Sequence, residues 1–216
     1  MLVRLNMPLS CRPSRTFSNA RPHQVHRVRR FLSVLIASLG LLVAEPIFSG
    51  VAHASLVPAL ELADLTRLAD RVVLAEVLSV ESAWDSAHRR IITTVEVQVA
   101  ETWKGTAPGG GKLVIAQVGG TVGDIEMKVH GMPTFRVGDR AVLFLHGSEA
   151  ASGVLGLGQG KHPVRYDLTA NRWMVDGGDR SAAVLRDADG HFRPAPSEAT
   201  TSLDDLRARV RKLVQP

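Results

Sequence analysis

The chain has 216 residues and a formal net charge of +5, an excess that ordinarily points to a nucleic-acid partner. That excess is localised: residues 1–30 hold seven arginines and no acid, and beyond residue 54 there remain 19 basic and 20 acidic side chains, with no concentrated patch for phosphate. The single cysteine, Cys11, lies in the same N-terminal stretch, so the rest of the chain has no disulfide, thiolate nucleophile or cysteine metal ligand and relies on a buried core.

The arginines precede an apolar run, Phe31 to Ala44, and a small-x-small site, Ala52-His53-Ala54, ahead of Ser55. Together these predict a secretory signal peptide over 1–54, cleaved after Ala54, and hence a periplasmic or secreted protein. The apolar run is about 14 residues, short of the ~20 a spanning helix needs, so an uncleaved membrane anchor is the poorer alternative. Arg29-Arg30-Phe31-Leu32 matches a twin-arginine pattern only loosely, and Met7 offers a second start.

Leucines at 60, 62, 65 and 68 predict a short helix within Leu56–Arg71 that turns one face inward. Val72 to Val80 is nearly continuous in apolar residues, the pattern of a strand covered on both faces. Ile91 to Trp103 alternates, with Val95, Val97 and Val99 on one side and Thr94, Glu96 and Gln98 on the other, so it predicts a half-buried strand. The turn formers Asp85 and Ser86 make the two strands a hairpin. After a glycine- and proline-rich loop over 104–112, strands are predicted at Leu113–Val118 and Ala141–His146. A glycine-interrupted strand over 153–168 pairs with Arg172–Asp176. The polar stretch 177–199 reads as a long loop. Ser202 to Val214 closes the chain as an amphipathic helix, with Ser202 and Asp205 as its capping pair and Leu203, Leu206, Val210 and Leu213 as its apolar stripe.

Six or so short strands with a helix at each end predict a mainly β domain over 55–199, an OB-like partly open barrel or a small sandwich. The C-terminal helix, within 200–216, packs on it. The three tryptophans, Trp84, Trp103 and Trp173, read as core plugs in a chain so poor in aromatics.

The chemistry-bearing motifs are weak. "PGGGK", Pro108 to Lys112, lacks the first glycine and the Ser/Thr of a phosphate loop and leads into a strand. There is no G-x-S-x-G and no H-E-x-x-H. The histidines beyond residue 54, at 88, 130, 146, 162 and 191, are scattered. In "DIEMKVH" an extended backbone would place Asp124, Glu126, Lys128 and His130 on one face and bury Ile125, Met127 and Val129 opposite. Asp124, Glu126 and His130 could ligate a metal, although Lys128 between them is a poor neighbour for a cation. No cofactor is indicated.

The stretch "LADRVVLAEVLSVES…TTVEVQVAETWKG", Leu68 to Gly105, resembles the opening strands of netrin-like or tissue-inhibitor-of-metalloproteinase-like OB-fold domains. "GGTVG…GMPTFRVGDRAVLFL…GLGQGKHPV" looks like a group of exported bacterial proteins without assigned activity. The resemblance implies an OB-like barrel. It does not carry the inhibitors' mechanism, which needs an N-terminal cysteine where this chain has Ser55.

The resulting expectation is an exported, non-enzymatic binding module for an extracytoplasmic protein or glycan. It would not bind nucleic acid, and it would meet a membrane only through an uncleaved signal segment. Its ligand surface is expected at Asp124, Glu126, Lys128, His130, Phe135, Gln159 and Lys161. A metal-dependent hydrolase using Asp124, Glu126 and His130, and a purely structural envelope protein, are the alternatives.

Overall fold

The described chain enters through a two-residue strand, β1 (Val57–Pro58), and a helix, α1 (Leu62–Leu68). The structure is a computed structural model that describes residues 56–148 and 150–215. The expected signal peptide and its cleavage after Ala54 lie outside the described residues. α1 is shorter than the leucine spacing suggests, and no side chain caps its start. Its C-terminal carbonyls are satisfied from another element: the Lys104 ammonium donates to the carbonyls of Thr66, Arg67 and Ala69 at 2.7, 3.0 and 2.6 Å.

Two long strands, β2 (Arg71–Trp84) and β3 (Ile91–Lys104), form the expected antiparallel hairpin. Asp85 closes its turn by accepting the amides of Arg89 and Arg90. β4 (Lys112–Val118) lies antiparallel beside β3. The chain then makes a small hairpin, β5 (Gly120–Val122) and β6 (Ile125–Met127), before β7 (Arg140–Gly147) returns to pair antiparallel with β2. A short strand, β8 (Ser152–Val154), pairs antiparallel with β7 and parallel with β4. The order β2-β3-β4-β8-β7 therefore closes on itself as a five-stranded OB-like barrel. Closure between β4 and β8 rests on a single residue pair, Ile115 and Ser152, so the barrel is partly open. Register shifts in β2, between Val72 and Val73, Leu74 and Ala75, and Val77 and Ser79, bend it enough to close.

β7 divides its outer edge. Leu145–Gly147 pairs with β8, while Arg140–Leu143 pairs with β9 (Lys161–Asp167), which carries the sheet away from the barrel to β10 (Arg172–Val175). This split gives two cores. Val73, Ala75, Val77, Val95, Val97, Leu113, Ile115, Leu143 and Leu145 fill the barrel, and Phe135 packs with them. The alternate residues Val72, Leu74, Val142 and Phe144 join Val164 and Val175 under the helices. β2 and β7 are thus covered on both faces, which is why they read as unbroken apolar runs rather than alternating ones.

The final helix, α2 (Leu203–Val214), contributes Leu203, Leu206 and Val210 to the second core. Ser202 caps it as expected, accepting the Asp205 amide at 3.1 Å and donating its hydroxyl to the Asp205 carboxylate at 2.6 Å. Leu213, the last residue of the expected stripe, is exposed. Arg207 ties α2 to β3 through both Glu101 carboxylate oxygens at 2.8 Å.

Three expectations change. The stretch 177–199 is not a plain loop: it holds β11 (Ala183–Arg186) and β12 (Phe192–Pro194), with β11 parallel to β1 and β12 antiparallel to β11. A last two-residue strand, β13 (Thr201–Ser202), adds to β10. Ile125 is 54 % exposed rather than buried, because the β5–β6 hairpin pairs only with itself. Of the tryptophans, Trp103 is buried, but Trp173 is 38 % exposed, stacked by Arg140 at 4.6 Å and edged by Tyr166 at 5.2 Å.

Candidate functional site

The glycine-rich excursion after β4 forms one wall of a groove of about 320 Å³ beside β2 and β3. Its polar floor is built from hydroxyls and an amide. Thr93 donates to the Gly119 carbonyl at 2.5 Å, and Ser82 lies 2.9 Å from the Thr93 hydroxyl. Gln117 donates to the Pro133 carbonyl at 2.9 Å, and its buried Oε1 has no hydrogen-bond partner. Met127, Val129, Met132 and Phe135 supply the apolar lining.

Gly120 explains how the excursion lies so close to these hydroxyls. Its φ is +133°, and a Cβ there would sit 2.3 Å from the Thr93 hydroxyl and 2.4 Å from that of Ser82. Gly120→Ala is expected to cost about 1–3 kcal/mol through backbone strain and this clash. Urea unfolding measures the loss, and a midpoint equal to wild type would show that the hairpin can lift off freely.

The sequence-predicted residues divide among several places. Glu126 and Lys128 line the groove and pair with each other at 3.1 Å; Phe135 lines it from the barrel side. Asp124 sits in the β5–β6 turn and His130 in the turn after it, both exposed and outside the groove lining. The shared extended face expected for the four does not form, since β6 spans only Ile125–Met127. Lys161 is committed elsewhere: its ammonium donates to the Thr134 carbonyl and to Asp139 at 3.1 Å and stacks over Phe135 at 4.5 Å. Gln159 is buried and holds the N-terminal segment, accepting the Leu60 amide at 2.8 Å and donating to the Pro58 carbonyl at 3.1 Å.

A second cleft, of about 260 Å³, lies on the other side of the sheet, between β9, the end of β10, the residues before β13 and both helices. His162 lines it, 3 % exposed, with Nδ1 3.8 Å from a Glu198 oxygen and Nε2 buried without a partner. Burial first, and Arg180 second, hold its pKa down to about 4, against a partial pull upward from the backbone of Gln159 and Asp176. The imidazole is therefore neutral near pH 7. Glu198 is pushed up by burial and, less, by Glu61, with Arg180 and Arg209 opposing. Arg180 is the cleft's clamp: its guanidinium donates to Glu198, to the Leu60 carbonyl at 2.6 Å, and to Glu61 at 3.5 Å.

Sequence reasoning did not find this cleft. One signal was present: in β9, His162 shares its side with Val164, opposite Lys161, Pro163 and Arg165, so period-two alternation puts the imidazole on the buried face. Glu61, Arg180 and Glu198 carry no such local mark.

Among the described residues, the set of three metal-capable groups with ligand atoms within 4.8 Å of one another is Asp187, Asp189 and His191. Asp124, Glu126 and His130 form no such set. Asp187 is already occupied, accepting the amides of Asp189 and His191 and the Arg193 guanidinium in the turn between β11 and β12. Comparison with family models and with curated proteins finds no match.

Proposed function

We propose that the chain is a non-enzymatic binding module that acts outside the cytoplasm on a protein or glycan, with the groove under the glycine-rich excursion as its ligand surface. The observation that carries this reading is the composition of the groove: hydroxyls, the Gln117 amide, one exposed Glu–Lys pair and apolar side chains. These groups hold a ligand. They do not make a nucleophile–base pair, since the Ser82 and Thr93 hydroxyls bond each other and a carbonyl, and no histidine lines the groove. OB-like barrels commonly bind through a sheet face and its adjoining loops, which supports the location but not the ligand.

Export rests on the basic, apolar and small-x-small order of residues 1–54. No helix among the described residues is long and apolar enough to cross a membrane. The first residue of the protein recovered from the cell envelope or medium is expected to be Ser55; a start far from it removes the export reading. Groove binding is tested by titrating the protein with soluble oligosaccharides and with extended peptides while following backbone amides by NMR. Saturable shifts at Gln117, Thr121 and Lys128 with one of the two classes are expected. Replacing Lys128, exposed in the groove lining, with Ala should weaken that binding roughly three- to tenfold, the worth of one hydrogen bond. Shifts that arise elsewhere, or that survive the substitution, sink the groove as the site.

A further inference from the structure

We infer that the open edge of β2 takes an extended peptide as an added antiparallel strand, with alternate apolar side chains entering the groove and basic ones lying beside Glu81. Peptide binding here rests on the groove reading and narrows its ligand to protein.

β2 has 14 residues, but β7 pairs with it only from Arg71 to Glu76. Two further bonds follow, from the Val77 amide to the Asp139 carbonyl and from the Gly138 amide to the Val77 carbonyl, both at 2.9 Å. A register shift between Val77 and Ser79 falls where β7 leaves the edge. From Leu78 to Trp84 the strand pairs with β3 alone among the described residues. The end of the hairpin fixes which main-chain groups face out. The Asp85 amide donates to the Arg90 carbonyl at 2.8 Å, so these two form a hydrogen-bonded pair. Alternation then turns Ala83 and Glu81 toward β3 and leaves the N–H and C=O of Trp84, Ser82 and Val80 on the open edge. Val80 and Ser82 also line the groove, while Glu81 and Ala83, on the other face, are exposed.

A row of unpaired N–H and C=O groups is a template for another strand. A sugar can meet one of these residues, but a peptide repeats its own donor and acceptor at their spacing, about 7 Å between alternate residues. In an antiparallel pair, the peptide residues opposite Val80, Ser82 and Trp84 exchange both hydrogen bonds with them. Their side chains then turn to the same face, that of the groove. There Met127, Val129, Met132 and Phe135 offer apolar contact. The intervening peptide side chains emerge beside Glu81, which is exposed and makes no ion pair among the described residues. An opposite charge across the strands is favourable, which selects lysine or arginine at those positions. A second copy of the chain suits the edge less well, since antiparallel pairing through the same residues would bring two Glu81 carboxylates close together.

Amide hydrogen exchange, followed by NMR on the full chain, tests the pairing with a short capped peptide of alternating lysine and valine. In the free protein the Ser82 and Trp84 amides should exchange roughly tenfold or more faster than those of Glu81 and Ala83. Bound peptide should slow Ser82 and Trp84 by a similar factor. Methylating a central valine amide of the peptide, which faces β2, should weaken binding roughly tenfold, whereas methylating a lysine amide, which faces away, should change it less than about threefold. Glutamate in place of lysine should also weaken binding, and Glu81→Lys should reverse that preference. Groove shifts that leave Ser82 and Trp84 unprotected, or equal losses from the two methylations, overturn the added strand while the groove stands. Groove shifts with oligosaccharides alone do the same. Edge protection that grows with protein concentration and needs no peptide shows pairing with a second copy and overturns it too. No groove shift with either ligand class sinks both readings.

Discussion

Replacing Arg180 with Met will destabilise the fold by about 3–5 kcal/mol, the cost of breaking a buried ion pair by removing one partner. The Arg180 side chain is 6 % exposed and serves Glu198, the Leu60 carbonyl and Glu61 at once. It also reaches the Pro196 carbonyl at 3.5 Å. Methionine keeps much of the stem's packing but leaves Glu198 as a half-buried carboxylate without its hydrogen-bonded counter-charge, with Arg209 the remaining cation acting on it. The damage is not only local, because these contacts join the segment between β1 and α1 to the segment on either side of β11 and β12. The double variant Arg180→Met with Glu198→Leu should recover more than half of the loss, since it removes the stranded charge with its partner. Urea unfolding at pH 7 measures both. A single variant losing under about 1 kcal/mol, or a double variant no better than the single, would show that the clamp is incidental.

The contrast between what could and could not be read from the sequence follows from range. The β2–β3 hairpin is legible because its information is local: Val95 and Val97 alternate with Thr94, Glu96 and Gln98, and Asp85 closes the turn. α2 is legible for the same reason, through Ser202 with Asp205 and the stripe that buries Leu203, Leu206 and Val210. β11 escapes because it is four residues long, its local partner β12 has only three, and its other partner, the two-residue strand Val57–Pro58, meets it in parallel from the far end of the domain. No periodicity in four residues encodes that pairing. Ile125 and Trp173 are exposed because apolarity in the sequence does not by itself imply burial. The hairpin that holds Ile125 has no covering layer, and Trp173 lies toward the outer edge of the sheet, stacked by Arg140.

The sites divide in the same way. Glu126, Lys128 and Phe135 do come together at the groove because they sit on one excursion whose glycines were conspicuous. Gln159 and Lys161 were conspicuous too, but both are spent on holding segments in place. His162, Arg180 and Glu198 form a cluster of charged and titratable groups packed together away from solvent, yet they come from three separate segments. Only the divided edge of β7 and the clamp of Arg180 bring them together.

That cluster sets the protein's response to acid. His162 has a folded pKa of about 4 against an ordinary value of 6.5. A depressed folded value means that stability is full above the unfolded pKa and is lost as pH falls toward the folded one. Between pH 6.5 and about 4 the unfolded chain takes up a proton that the folded chain refuses, at a cost of about 3 kcal/mol, roughly 2 of it by pH 5. Glu198 acts in the opposite sense: its folded pKa is raised, so it contributes most at low pH and loses that contribution as pH rises through the folded value. It therefore offsets part of the loss from His162. Glu101 is held low, since burial alone would raise it but the hydrogen bonds from Arg207 and Trp103 prevail, so its contribution falls away only below the ordinary glutamate range. The loss expected between pH 6.5 and 5 is accordingly that of His162, reduced by whatever Glu198 offsets. Urea midpoints measured across it should fall for the wild type, while His162→Gln, whatever its own stability at pH 7, should show a much flatter profile. Arg180→Met should also flatten it, because removing the neighbouring guanidinium lets the imidazole titrate closer to its ordinary value. Parallel profiles for the wild type and His162→Gln would place the acid sensitivity on some other group.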